Sequence, residues 1–186
     1  MKKIVYLLFA LLTTLTVNAQ NEHLKFMGIP LTGTITSFQS KLTAKGISYD
    51  RVSSSQSQAG IRCFKGMFSG ENAEIYVYYN EKTKIVYRAK AVVEYSSEDI
   101  AKSRYSKFSS MLKEKYIAGE FMDSEHDDYP AFGIRVPDSK LEKIIGFISL
   151  YISKPSYSFM DERYLHIDYE DRDNTVSDMD KNMDDL

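Results

Sequence analysis

Lys84-Ile85-Val86-Tyr87-Arg88-Ala89-Lys90-Ala91-Val92-Val93-Glu94-Tyr95 is the stretch on which the fold turns. Ile85, Tyr87, Ala89, Ala91, Val93 and Tyr95 share one side of an extended chain. Lys84, Val86, Arg88, Lys90, Val92 and Glu94 share the other. Alternation over so long a run predicts a strand with one packed face and one wet face. The segment before it repeats the pattern. In Ala73–Tyr79, Ile75, Val77 and Tyr79 oppose Glu74, Tyr76 and Tyr78. A further strand, Ile61–Phe68, ends at the turn signal Ser69-Gly70, and Asn80-Glu81-Lys82-Thr83 supplies the next turn. Connections this short predict antiparallel pairing.

Helices are expected on either side of these strands. Thr34 is placed to cap a helix running to about Lys45, with Ile35, Phe38 and Leu42 at helical spacing and Gly46 to end it. Ser96-Ser97-Glu98-Asp99 fits a capping box with Ser96 as the cap. Ala101, Tyr105, Phe108 and Leu112 then mark one face, and Gly119 closes the helix. Ser53 to Gln58 reads as a solvated loop, and Asp123 to Asp128 as an acidic loop without periodicity. Phe132–Val136, Ile144–Ile152 and Arg163–Tyr169 complete the strands, the last with Tyr164, His166 and Asp168 on its polar side. The expected fold is α+β: an antiparallel sheet of about six strands with two helices on one face. Helix-strand-strand-strand occurs twice in order, which suggests a tandem α-β-β-β repeat.

The ends carry other information. Lys2 and Lys3, the apolar run Ile4 to Leu12 and Val17-Asn18-Ala19 form the pattern of a secretory signal over residues 1–19. The run is shorter than the ~20 apolar residues of a membrane span. Gln20 stands where a lipoprotein would carry Cys. The expectation is a cleaved, periplasmic or secreted protein without stable membrane insertion. Residues 20–170 would form one domain and 171–186 an acidic tail. From Asp168 to Leu186 there are eight acids against Arg172 and Lys181, a charge density that favours solvation over packing.

Composition narrows the function classes. The net charge is −2, and losing Lys2 and Lys3 makes the remainder more acidic. No basic stripe appears, so nucleic-acid binding is not expected. Cys63 is the only cysteine and cannot form an internal disulfide; its place in an apolar strand predicts a small buried hydrophobe. Fourteen Tyr and ten Phe stand beside no Trp.

Motifs for chemistry fall short. Asp178-Met179-Asp180-Lys181-Asn182-Met183-Asp184 mimics the start of a calcium loop. Met183 stands where Gly is needed, however, and Leu186 precedes the twelfth position. Asp123, Glu125, His126, Asp127 and Asp128 are too nearly consecutive to converge on a metal. His166 reads as a surface histidine, and His23 lies near the expected mature N-terminus. Gly66-Met67-Phe68-Ser69-Gly70 has the wrong spacing for a nucleophile elbow. No phosphate loop, dinucleotide fingerprint or zinc helix is present, so no catalytic residue, metal or cofactor is assigned. The open sheet face remains. Tyr76, Tyr78, Arg88 and Lys90 form the candidate binding surface, with Val86 and Val92 beside them; Tyr151 and Tyr164 are candidates to join it, the face they occupy depending on strand register. Tyr and Arg are enriched where proteins meet, so the reading is a binding module with a protein partner. The alternatives are a small-ligand carrier with an apolar cavity between helices and sheet, or an envelope enzyme with a deep pocket.

Phe26-Met27-Gly28-Ile29-Pro30-Leu31-Thr32-Gly33, then Phe38 and Leu42-x-x-x-Gly46, resembles the opening of a group of uncharacterised exported proteins of Gram-negative bacteria. Ile167-Asp168-Tyr169-Glu170-Asp171 and the Asp184-Asp185-Leu186 end are similar to that group as well. The resemblance implies export and no particular activity. The helix-and-strand plan is also similar to β-lactamase-inhibitor-like proteins and to small outer-membrane assembly subunits. Both are binding modules, and the latter are normally lipid-anchored. This is likeness of fold plan alone.

Overall fold

The structure, a computed structural model, describes residues 22–155 and 161–175. The expected signal segment, the calcium-loop mimic and the Asp184-Asp185-Leu186 end lie outside the described residues. Helix α1, Ile35–Ala44, starts where Thr34 Oγ1 accepts the Ser37 N–H at 3.3 Å, and it buries Ile35, Phe38 and Leu42. Gly46 follows it with φ 81°, a conformation open to glycine. Helix α3, Glu98–Lys115, buries Ala101, Phe108 and Leu112. Its cap is Ser97 and not Ser96: Ser97 is extended and its hydroxyl accepts the Ile100 N–H. Glu98 and Asp99 stand in the first turn, where carboxylates complement the helix dipole.

The strands are β1 (Lys25–Phe26), β2 (Ile29–Pro30), β3 (Ser48–Asp50), β4 (Ile61–Phe68), β5 (Glu71–Tyr79), β6 (Val86–Tyr95), β7 (Glu120–His126), β8 (Tyr129–Pro137), β9 (Ile144–Ser153) and β10 (Arg163–Asp171). β3 to β10 form one eight-stranded sheet in the order β3-β4-β5-β6-β10-β9-β8-β7, antiparallel throughout. The fold is thus α+β, with α1 and α3 packed against the apolar side and more strands than the sequence pattern suggested. Each half runs helix first and then a four-strand meander. The two meanders meet where their last strands, β6 and β10, pair at the centre.

Three departures have physical causes. The acidic loop is strand β7, an edge strand with one neighbour and both faces wet, so nothing required its residues to alternate. Asp127 and Asp128, both at positive φ, turn it into β8. The Ser/Gln loop contains helix α2, Arg51–Gln56, which buries none of its residues and shows no apolar period. Asp50 caps it by accepting the Ser53 N–H at 3.0 Å. Third, a bulge shifts the β5–β6 register: Tyr78 pairs with Arg88 but Tyr79 with Val86. Val86 thereby turns into the core at 0% exposure, away from the wet face expected for it.

The N-terminal strand pair plugs the core. Leu24, Phe26, Ile29 and Leu31 are all buried, and Phe26 stacks on Phe68 and meets Tyr169 edge-on, each at 5.4 Å between centroids. The expected solvated tail begins later than its charge suggested. Asp168, Glu170 and Asp171 belong to β10, and Asp168 and Asp171 are buried. Asp171, at 0% exposure, accepts the Leu24 N–H at 2.9 Å and sits 3.1 Å from His23 Nδ1. That contact ties the N-terminal segment to the sheet.

Candidate functional site

Cross-strand register arranges the face away from α1 and α3 in rows. One row runs Cys63, Tyr76, Lys90, Asp168, Ser149, Gly133 and Met122 across seven strands. Its neighbour holds Ile61, Tyr78, Arg88, Glu170, Phe147, Arg135 and Glu120. On the other side lie Lys65, Glu74, Val92, His166 and Tyr151, and beyond them Glu94, Tyr164 and Ser153. All six candidate residues, Tyr76, Tyr78, Arg88, Lys90, Tyr151 and Tyr164, therefore share one side of four adjacent strands. Helix α2 meets this side at its edge. Cys63, at 4% exposure, lies 3.1 Å from the Ser57 hydroxyl just after that helix.

These side chains lie down on the sheet, and each candidate residue is half-buried. Arg88 grips both carboxylate oxygens of Asp168, with Nε at 2.9 and 3.1 Å and a shorter contact from Nη2. The Tyr78 ring covers the guanidinium at 4.8 Å. Burial raises the phenol pKa of Tyr78 and of Tyr151, and both rings lie in the field of the Arg88–Asp168 pair. Tyr76 donates to Glu74 at 2.7 Å, and its ring sits 5.5 Å from the Lys90 ammonium. Lys90 forms no ion pair with another described residue; burial lowers its pKa, against a raising effect of Asp168.

The structure adds residues to which the sequence reading gave no part in this face. His166 stacks on Tyr151 at 4.5 Å and 9°, and His126 meets the same Tyr151 ring edge-on at 4.5 Å. His166 Nε2 is 2.7 Å from Ser153 Oγ, while its Nδ1 is buried without a partner among the described residues. Burial first, then Lys90 and His126, push its pKa down to about 4, so the ring is neutral at pH 7. Ser153 and His166 hold the geometry of a nucleophile and its base. Among the described residues no carboxylate orients His166 as a triad would require, and Asp168 is held by Arg88. Among the described residues, no group of three His, Cys, Asp or Glu side chains is placed to hold a metal, and no helix is long and apolar enough to cross a membrane.

At the Tyr164 end the face opens into a polar hollow of about 630 Å³, bordered by Lys65, Asn72, Glu74, Val92 and Glu94. The arrangement offers flat aromatic area, one unpaired ammonium and a hollow at its margin. Chemically it can hold a surface. Among the described residues of this face, no acid, base and nucleophile converge on one point. Comparisons with protein families, with curated proteins and with solved structures find no match to this chain.

Proposed function

We propose that the protein is an exported binding module whose partner, a protein, docks on the open face of the eight-stranded sheet. One observation carries the reading: Tyr76, Tyr78, Arg88, Lys90, Tyr151 and Tyr164 share a face that neither α1 nor α3 packs against. Half-buried tyrosines already fixed by neighbours lose little freedom when a partner covers them, which is what makes Tyr effective contact area. Lys90 adds a charge that lies over the Tyr76 ring and forms no ion pair with another described residue.

Photo-crosslinking from the face tests this. Benzoyl-phenylalanine at Tyr164 or Tyr151 should trap the same envelope protein. The same group at Lys107, exposed on α3, should not trap it. Lys90→Ala with Tyr164→Ala should abolish the adduct formed from the Tyr151 position while leaving the unfolding midpoint in place. An adduct equally strong from Lys107, or one indifferent to the double substitution, removes the face from the argument.

A further inference from the structure

A hollow of about 470 Å³ lies on the other side of the molecule, between the N-terminal segment, the end of α3 and the β8–β9 turn. We propose that it binds a single-chain amphiphile with an anionic head, of the fatty-acid type, independently of the sheet face. The volume is that of a small-molecule site. Its floor is aliphatic: Leu24, Val136 and Ile145 are each at most 6% exposed and line it. Tyr116 is its one phenyl-type wall residue, beside the His23 imidazole that is held by Asp171, so the lining suits a flexible alkyl chain better than a planar ring. Two large apolar side chains stand open at the lining, Ile117 at 83% exposure and Leu141 at 67%. Leu141 holds φ 61°, a conformation unfavourable to a residue with a Cβ, in a turn closed by its N–H donating to the Asp138 carbonyl at 3.1 Å. Uncovered apolar surface beside an apolar hollow is the mark of a site that is completed by an occupant.

Charge selects the head group. Glu22 and Asp138 also line the hollow, but their carboxylates build its wall. Glu22 accepts the Ser139 N–H at 2.7 Å and Asp138 accepts the Glu142 N–H at 2.8 Å. Lys25 attracts the Glu22 carboxylate only from beyond ion-pair distance and Lys115 lies 5.0 Å from the Tyr116 ring, so neither ammonium is held by a carboxylate of another described residue. An anionic head can pair with those two ammonium groups, whereas a cationic head would meet them as like charges.

Titration of the purified protein with dansyl-labelled undecanoic acid, followed by displacement with laurate, dodecylamine and dodecanol, reads both parts of the proposal. The expected result is saturable one-to-one binding with blue-shifted emission, displaced by laurate at least about tenfold more effectively than by dodecylamine, a difference of one decade in Kd. Ile117→Asp and Leu141→Asp alter exposed positions and should fold, yet each should weaken the probe by about tenfold or more. Lys25→Gln with Lys115→Gln should erase the preference for laurate and leave dodecanol unchanged. Lack of saturation, or binding unaffected by both Asp variants, overturns the site. Equal displacement by dodecylamine overturns the anionic head. Binding to anionic phospholipid vesicles without any to free laurate overturns the free amphiphile in favour of a membrane surface. The sheet-face variant Lys90→Ala with Tyr164→Ala should bind the probe like the parent protein, which separates this result from the docking face.

Discussion

Arg88 and Asp168 face each other diagonally across β6 and β10, the strands at which the two halves of the chain join, and the guanidinium holds both carboxylate oxygens. Asp168 is 7% exposed, and Arg88 is the cation that hydrogen-bonds it, with Lys90 beside it in register. The pair belongs to the fold as well as to the face. A surface that looks like an interaction patch is therefore anchored by a charge pair of the sheet itself.

Arg88→Ala should therefore destabilise the protein by about 3 kcal/mol, the lower end of the range for stripping one partner from a buried pair. The lower end applies because the Arg88 side chain retains 33% exposure. Replacing both partners, Arg88→Met with Asp168→Leu, should recover most of the loss, since no charge is then left buried alone. Urea denaturation of the three proteins decides it. Equal loss in the single and double variants would mean that packing, and not charge pairing, holds the junction.

His166 makes stability fall as the solution is acidified. Its folded pKa is near 4 against an ordinary 6.5, so between those values the unfolded chain binds the proton and the folded chain does not. Stability is full above the ordinary value and is lost as pH falls toward the folded one. The difference between pH 7 and pH 5 should be about 2 kcal/mol. Lys90 and His126 lie on its unfavourable side and Asp127 on its favourable side. His166→Gln keeps a group able to meet Ser153 and removes the titration, so its denaturation midpoint should vary less between these two pH values. An identical slope in both proteins would assign the effect elsewhere.

Much of this was legible in the sequence, and for a definite reason. Alternation fixes sides within a strand, so Tyr76, Tyr78, Arg88 and Lys90 could be grouped from the sequence, whereas the face of Tyr151 and Tyr164 hung on register, and the pairing puts them beside the other four. Alternation says nothing about which strands are neighbours. The pairing of β6 with β10 joins Arg88 to Asp168 and brings His166 under Tyr151, and no local signal encodes it. Bulges defeat the pattern outright, which is how Val86 came to be expected outside when it is buried. Acidic residues misled twice. Charge at Glu120–His126 marked a protected sheet edge, and at Asp168 and Asp171 charge was buried against partners far away in sequence.

Cys63 should report the opening of α2. Ser54 Oγ accepts the Cys63 N–H at 2.8 Å and lies 3.3 Å from its carbonyl, so the helix closes the outer edge of β4 at this residue. α2 buries no side chain of its own, which makes it the first element expected to open. Ser54→Ala should speed thiol labelling of Cys63 by about tenfold, equivalent to ~1.4 kcal/mol of local opening, with little change in global stability. Labelling rates and urea midpoints on the same samples test this. A rate that changes only in step with the global midpoint would tie Cys63 to complete unfolding.

Asp171 should behave oppositely to His166 with pH, and it holds a different part of the molecule. Burial raises its pKa above the ordinary 3.8, outweighing the hydrogen bond and the attraction from His23. The folded chain then binds the extra proton as pH falls through the raised value, so acidification stabilises the protein through this group. Asp171→Asn removes that dependence and keeps an oxygen for the Leu24 N–H. Asp171→Ala leaves the N–H buried without an acceptor and should lower stability by about 2–3 kcal/mol. The loss should be local in origin, because Leu24 and Phe26 are the plug that the carboxylate secures. Amide exchange at Leu24 and Leu31 should accelerate in Asp171→Ala and remain slow in Asp171→Asn. Leu31 belongs in the measurement because its N–H donates to the Leu24 carbonyl at 2.8 Å and would loosen with it. Protection retained at both amides in Asp171→Ala would show that apolar packing seats the N-terminal segment without help from Asp171.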